Sequence, residues 1–157
     1  MAASLSGNDD EFLSAELSIR EEIMADKRIL VVEDEIELAE VLAFNLTREG
    51  WTVLVAHGGL SASRIIGTER PDLILLDLML PDLNGRDVCA MVRRHPDPAV
   101  AATPIIMLTA MTSIENREAG LRAGATLYLS KPFVLREVIR RVRELLERSP
   151  DAHAILH

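Results

Sequence analysis

Five times between Arg28 and Arg148, a short run of β-branched and aliphatic residues is followed by a stretch with helical apolar spacing. Arg28–Glu33 (RILVVE) precedes Ile36–Glu49, whose apolar positions Leu38, Val41, Leu42 and Leu46 recur at helical intervals. Trp51–Ala56 and, after Gly58-Gly59, Leu60–Glu69 form the second unit, and Asp72–Asp77 with Arg86–Arg94 the third. Pro104–Thr109 (PIIMLT) leads into Ser113–Ala123, which Gly124 stops. Thr126–Leu129 leads into Val134–Arg148, with Val134, Val138, Val142 and Leu146 on one stripe. The interior of DLILLD is wholly apolar, as in a central parallel strand buried on both faces. Serial β-then-α units with right-handed crossovers dictate an α/β fold: a doubly wound five-stranded parallel sheet flanked by five helices. His95–Thr103, with Pro96 and Pro98, reads as the longest loop of this body.

At 157 residues the chain has the length of about one domain, enough to bury a core without staples. Cys89 is the single cysteine, so an internal disulfide is excluded and a reducing compartment is implied. The longest apolar run, Leu73–Leu80, is short and interrupted by Asp77, and no signal-peptide layout opens the chain. A soluble cytoplasmic protein is the expectation. The formal net charge is −8, but residues 1–26 hold seven acids against Arg20 alone, which leaves −2 on the rest. The expected organisation is therefore an acidic N-terminal extension over 1–26, a folded body over 27–148, and a tail or linker start over 149–157. The extension has a possible amphipathic helix around Phe12, Leu13, Leu17 and Met24, after a polar start that reads as disordered. Met24 itself opens MADKRILVVEDE, a sensible domain start. This acidity argues against direct nucleic-acid binding. The one basic cluster, Arg136–Arg148, alternates with Glu137, Glu144 and Glu147 as a solvated helix face does.

Ligands of open α/β sheets bind beyond the carboxyl ends of the strands. At those ends lie Glu33, Asp34 and Glu35 after the first strand, Asp77 after the third, Thr109 after the fourth, and Ser130-Lys131-Pro132 after the fifth. Clustered carboxylates raise each other's proton affinity unless a cation joins them. Mg²⁺ suits such a site, because it takes few carboxylates, several waters and a phosphate. Asp77 at the tip of a rigid strand is placed as a nucleophile toward phosphorus, giving an acyl phosphate. Mg²⁺ on one side and Lys131 on the other can neutralise the phosphoryl oxygens, and Thr109 can donate to the attached phosphate.

Taken singly, each residue has a plainer reading. Glu33 and Asp34 serve equally well as an N-cap pair, Asp77 as a turn residue, and Lys131 as a surface lysine. Cys89 and the methionines read as core, and His57, His95, His153 and His157 lack any ligand spacing. The joint placement at four strand ends outweighs these readings. A haloacid-dehalogenase-like phosphohydrolase needs a second Asp where Met79 stands, and a cap domain for which there is no room. A nucleotide or flavin site needs a Gly-rich turn where this chain has Glu33-Asp34-Glu35. A stand-alone relay or protein-interaction module is the remaining alternative.

The stretches ILVVEDE, DLILLDLMLPDLNGRDVC, PIIMLTA and GATLYLSKPF, in this order, resemble the receiver domain of two-component response regulators. The resemblance spans about Arg28 to Arg148 and implies a flavodoxin-like sheet of order 2-1-3-4-5, acting as a signalling switch rather than a conventional enzyme. By that likeness Asp77 is the phosphoacceptor, charged by a sensor histidine kinase. Asp34 is the direct Mg²⁺ ligand, Glu33 acts through water, and Met79 offers its backbone carbonyl. Thr109 is the switch hydroxyl, Tyr128 the switch aromatic, and Lys131 the phosphate-pairing lysine before a cis peptide bond to Pro132. Pro81 and Gly85 shape the loop after Asp77. Met79 and Met111 flank the site as apolar residues that position no water, which implies slow self-dephosphorylation. The ending SKPFVLREVIRRVRELLER most resembles the OmpR/PhoB winged-helix class, implying control of transcription and a homodimer through the fourth body helix, fifth strand and last helix. Arg117 and Glu137 stand where that class has a cross-dimer ion pair, with Arg141 nearby. Thr126 and Leu127 stand where it has two acids, so Arg141 lacks its class partner.

Overall fold

The structure is a computed structural model that describes residues 3–148, and the backbone alone of residues 3–8 and 23–25. The expected tail over 149–157, His153, His157 and the side chain of Met24 lie outside the described residues. Strands β1 (Arg28–Val32), β2 (Thr52–Ala56), β3 (Leu73–Leu76), β4 (Ile105–Thr109) and β5 (Leu127–Ser130) form one parallel sheet of order β2-β1-β3-β4-β5. The helices are α1 (Ala3–Ala25), α2 (Ile36–Arg48), α3 (Gly59–Glu69), α4 (Gly85–Arg93), α5 (Pro98–Ala101), α6 (Ile114–Ala123) and α7 (Leu135–Glu147). The flavodoxin-like fold expected from the sequence is the fold observed.

Alternating residues of each strand feed two separate cores, because successive side chains point to opposite faces. On one face Leu30, Val32, Ile74, Leu76, Ile105 and Met107 pack against Ala62 and Ile66 of α3 and Val88, Cys89 and Val92 of α4. On the other, Ile29, Val31, Leu73, Leu75, Ile106 and Leu108 pack against Leu42 and Leu46 of α2 and Val138 and Val142 of α7. β3 and β4 are buried along their whole length, whereas β2 and β5 at the sheet edges are only partly so. Full burial of each such aliphatic side chain contributes about 1.5–3 kcal/mol. The central strands are therefore the least yielding part of the molecule, and the site is mounted on their ends.

Several details depart from the sequence reading. Ala39, Leu42 and Leu46 form the inner stripe of α2, and Val41 faces solvent. Val134 is the exposed N-cap of α7, and Leu145 joins Val138, Val142 and Leu146 in the core. The expected loop His95–Thr103 contains the single turn α5, started by Pro98 and capped by Asp97, whose carboxylate accepts from Ala99 N at 2.9 Å. Pro tolerates the first helical position and Asp favours the N-cap, so that signal is present in the sequence. With α1, this makes seven helices among the described residues rather than five.

The leader is helical but carries no apolar stripe. Phe12, Leu13, Leu17 and Ile19 are all exposed. At about 100° per residue, Glu16 and Arg20 fall between the Phe12/Ile19 and Leu13/Leu17 directions. These two form an i,i+4 ion pair at 3.8 Å. No helix of the described residues is long and apolar enough to cross a membrane.

Candidate functional site

Parallel register brings four strand ends level. Val32 of β1 pairs with Ala56 and Leu76, and Thr109 of β4 pairs with Ser130 of β5. The next residues of β1 and β3 continue the ladder, with Glu33 N donating to Ala56 O at 2.9 Å and Asp77 N to Val32 O at 3.1 Å. Lys131 N donates to Thr109 O at 2.8 Å, and the Lys131–Pro132 bond is cis.

The side chains converge on this edge. Glu33 and Asp77 are buried, whereas Asp34 is exposed. Carboxylate oxygens of all three lie within 4.8 Å of one another. Lys131 Nζ donates to Asp77 Oδ2 at 2.8 Å and to a Glu33 carboxylate oxygen. Asp77 Oδ1 accepts from Met79 N at 3.1 Å, and Glu33 Oε2 accepts from Glu35 N at 3.2 Å. Glu35, not Glu33 or Asp34, is the N-cap of α2, and it makes no side-chain cap bond. The capping explanation for the acid pair thus fails.

Burial raises the Glu33 pKa and outweighs the Lys131 hydrogen bond that would lower it. Burial also opposes the Lys131 charge, but its bonds to Asp77 and Glu33 prevail and hold its pKa above the ordinary lysine value. Three carboxylates meet one ammonium here, and among the described residues it bonds only Glu33 and Asp77, so negative charge predominates. An all-oxygen set of this size fits a small hard divalent cation.

Thr109 is wholly buried, and its Oγ1 accepts from Met111 N at 3.3 Å. Tyr128, 6% exposed, donates its hydroxyl to the carbonyl of the same residue, Met111. Met79 is on the loop after β3, its side chain exposed and its backbone bridged to Asn84. Gly85 closes that loop, where an added Cβ would lie 2.3 Å from Asp77 O.

The structure engages the charged residues of the α6–β5–α7 face within the chain. Glu137 accepts from Arg140 Nη2 at 2.8 Å and from Arg141 Nε at 3.0 Å, and Arg141 also reaches Glu144 at 3.4 Å. Arg117 lies over the Tyr128 ring at 5.9 Å from its centroid. Thr126, standing in place of an acid, accepts from Ile105 N at 3.0 Å and from Arg93 Nη2 at 3.4 Å.

Two residues of this edge are missed by sequence reasoning. His57 Nδ1 lies 2.9 Å from Glu33 O, a contact made through backbone and invisible to motif spacing. Asp82 accepts from Gly59 N and Leu60 N at 2.8 and 2.9 Å. A signal exists for it, since the Gly58-Gly59 start of α3 brings no capping side chain of its own.

A family model described as the response regulator receiver domain matches residues 29–143. The chain belongs to the response regulator receiver family. Its relatives include the response regulator MprA of Mycobacterium ulcerans (strain Agy99), 45% identical over 122 residues, which cover 78% of this chain and 51% of that protein. MprA of Mycobacterium tuberculosis (strain ATCC 25618 / H37Rv) is 44% identical over 127 residues, covering 81% and 54%. The chain thus spans about half the length of the curated relatives it matches. Among solved structures, the Francisella response regulator 1452 receiver domain is 33% identical with a TM-score of 0.72, covering 78% of this chain and 98% of that one. The BeF3-activated N-terminal receiver domain of Klebsiella pneumoniae RstA is 32% identical with a TM-score of 0.71, covering 78% and 100%. Receivers are signalling switches served by sensor histidine kinases, and this receiver has the acidic pocket at which the family binds Mg²⁺.

Proposed function

We propose that this receiver accepts a phosphoryl group on Asp77 from a phosphohistidine of a sensor histidine kinase, with Mg²⁺ held by Glu33, Asp34, Asp77 and the Met79 carbonyl. The observation that carries the reading is the Asp77 carboxylate at the end of a buried central strand, clustered with two further acids and bonded to Lys131. A carboxylate oxygen attacks phosphorus as the P–N bond breaks, and the departing imidazole nitrogen keeps the electron pair. The cation supplies charge neutralisation at the phosphoryl oxygens. Lys131, already beside Asp77 Oδ2, pairs with the transferred group, and Thr109 turns its hydroxyl toward it. Thr109 and Tyr128 both bond Met111, through its N and its O, so a shift of Thr109 is felt at Tyr128 and across the α6–β5–α7 face.

The output we favour is control of transcription in a longer protein, with a homodimer through α6, β5 and α7. The support is the resemblance of the last helix to the OmpR/PhoB class and the kinship with MprA. The Arg140–Glu137–Arg141 cluster implies that a cross-dimer pair between Arg117 and Glu137 forms by exchange of partners. We assign residues 27–148 to the switch and 1–26 to an acidic extension outside it. The deciding experiment incubates the protein with acetyl phosphate and Mg²⁺ and measures intact mass. A gain of one phosphoryl group that Asp77→Asn abolishes supports the reading, and an unchanged parent mass defeats it.

A further inference from the structure

The loop from Asp77 to Gly85 is fastened at two points. Its base is closed by Gly85 N donating to Leu78 O at 2.9 Å and by the Met79–Asn84 bridge. Its tip is held by Asp82, whose two carboxylate oxygens take the first amides of α3 at 2.8 and 2.9 Å, while Oδ1 also accepts from Leu83 N at 2.9 Å. The α3 helix therefore receives its cap from a distant loop rather than from the residue that precedes it.

Gly58 shows that this contact shapes the sequence. Its φ of −156° and ψ of 169° are extended backbone open to any residue. What a side chain would meet is the latch, because a Cβ at Gly58 would lie 3.0 and 3.1 Å from the Asp82 carboxylate oxygens. At Gly59 it would lie 2.7 Å from Leu83 Cβ. Both glycines make room for the loop.

We infer that Asp82 is a positioning residue for the phosphoryl site: by fastening the loop tip to the α3 N-terminus it fixes the Met79 backbone, and through it the Asp77 carboxylate. The link is direct, since Met79 N donates to Asp77 Oδ1 at 3.1 Å. Without the latch, Leu80 and Pro81 hang from the base alone, and Met79, held only by its bridge to Asn84, becomes a less fixed donor to the carboxylate. The inference rests on the reading of Asp77 as phosphoacceptor.

A simple helix cap would stabilise α3 and do nothing else. The test compares the parent with Asp82→Ala, Asp82→Asn, Gly58→Ala and the Gly58→Ala/Asp82→Ala double variant. Mg²⁺ affinity is read from the backbone amide signals of Asp77 and Met79, phosphate uptake from intact mass with acetyl phosphate, and stability from urea melts. Asp82→Ala is expected to weaken Mg²⁺ binding about 10-fold, the low end for losing an outer-shell support of a metal site. Asp82→Asn, whose one amide oxygen can accept from Gly59 N while its NH2 cannot accept from Leu60 N, keeps an affinity between those of the parent and Asp82→Ala. Gly58→Ala weakens binding in the same direction, and the double variant is no worse than Asp82→Ala alone. Parental Mg²⁺ affinity in Asp82→Ala, with only stability reduced, overturns the latch, as does an additive double variant. If the parent binds Mg²⁺ but takes no phosphate, the phosphoacceptor reading falls and the Asp82 role in phosphoryl chemistry falls with it, whatever the affinities. Failure of the latch alone leaves parental uptake intact.

Discussion

Lys131 Nζ lies 2.8 Å from Asp77 Oδ2 and also bonds Glu33, so one ammonium bridges two buried carboxylates that come from different strands. Removing it leaves Glu33 and Asp77 facing each other without their bonded counter-charge, beside a third acid, Asp34. We expect Lys131→Met to lose about 2–3 kcal/mol of stability in metal-free buffer, less than for a fully enclosed pair because Asp34 admits solvent. Added Mg²⁺ should recover most of that loss, since it binds the same carboxylates in the native state only. Thermal melts with EDTA and with millimolar Mg²⁺ check both parts. A deficit that Mg²⁺ leaves unchanged would show that these acids do not share a cation site.

Gly85 has a different kind of necessity. An added Cβ would meet Asp77 O at 2.3 Å and Leu78 Cα at 2.8 Å, both backbone atoms that cannot swing aside. Gly85→Ala should therefore cost about 1–3 kcal/mol as an overpacked site, and displace the peptide that carries Asp77. Urea melts and acetyl-phosphate labelling should fall together. A stable variant that labels normally would mean that the loop has an alternative path.

The parallel sheet and the convergent acids are legible because burial writes itself into sequence, whereas the strand order follows from the family resemblance. LILL of β3 and IIMLT of β4 are apolar nearly throughout, and polar residues held in register stand at their ends on the site edge. Asp77, Thr109 and Lys131 need only the rule that ligands sit beyond strand carboxyl ends. The α5 turn, the Asp82 latch and the His57 contact escape such a reading. The latch and the His57 contact depend on backbone groups of a segment remote in sequence, and a backbone group has no residue type to betray it. The α5 turn is only four residues long, too short to show any apolar period. Val41 and Val134 mislead for a simpler reason. Val41 stands one position before the buried Leu42, and that step carries a side chain about 100° around the axis, out of the core, while Val134, four residues before Val138, is the extended N-cap residue outside the helix.

Asp97 supplies a pH signature away from the site. Its carboxylate accepts from Ala99 N at 2.9 Å and from Arg70 Nη1 at 2.5 Å, and those bonds hold its pKa below the ordinary aspartate value. The folded state thus releases this proton more readily than the unfolded chain does. The stabilisation is fully present above about pH 4 and is lost as the pH falls through the depressed folded value. Asp97→Asn should be less stable than the parent at pH 7, with the gap narrowing as the pH falls below the ordinary aspartate value. Chemical melts across that range measure it, and a gap independent of pH would assign the effect to packing alone.

Tyr128 occupies a space that a glycine at position 120 leaves open. An added Cβ at Gly120 would lie 2.9 Å from Met107 Sδ and from Tyr128 Cε2, so the inward ring fits only because residue 120 has no side chain. On helix propensity alone, Gly120→Ala would stabilise α6 by about 1 kcal/mol. Overpacking against the ring opposes this by about 1–3 kcal/mol, so net destabilisation or expulsion of the ring is expected. The two outcomes separate in the titration of the phenol. Burial raises the Tyr128 pKa above its usual value, so a ring driven into solvent should ionise at lower pH than in the parent. Tyr128 is the single tyrosine of the chain, which makes phenolate absorbance an unmixed readout. An unshifted titration with a gain in stability would mean that Met107 yields instead. Gly120 would then have no part in seating the ring.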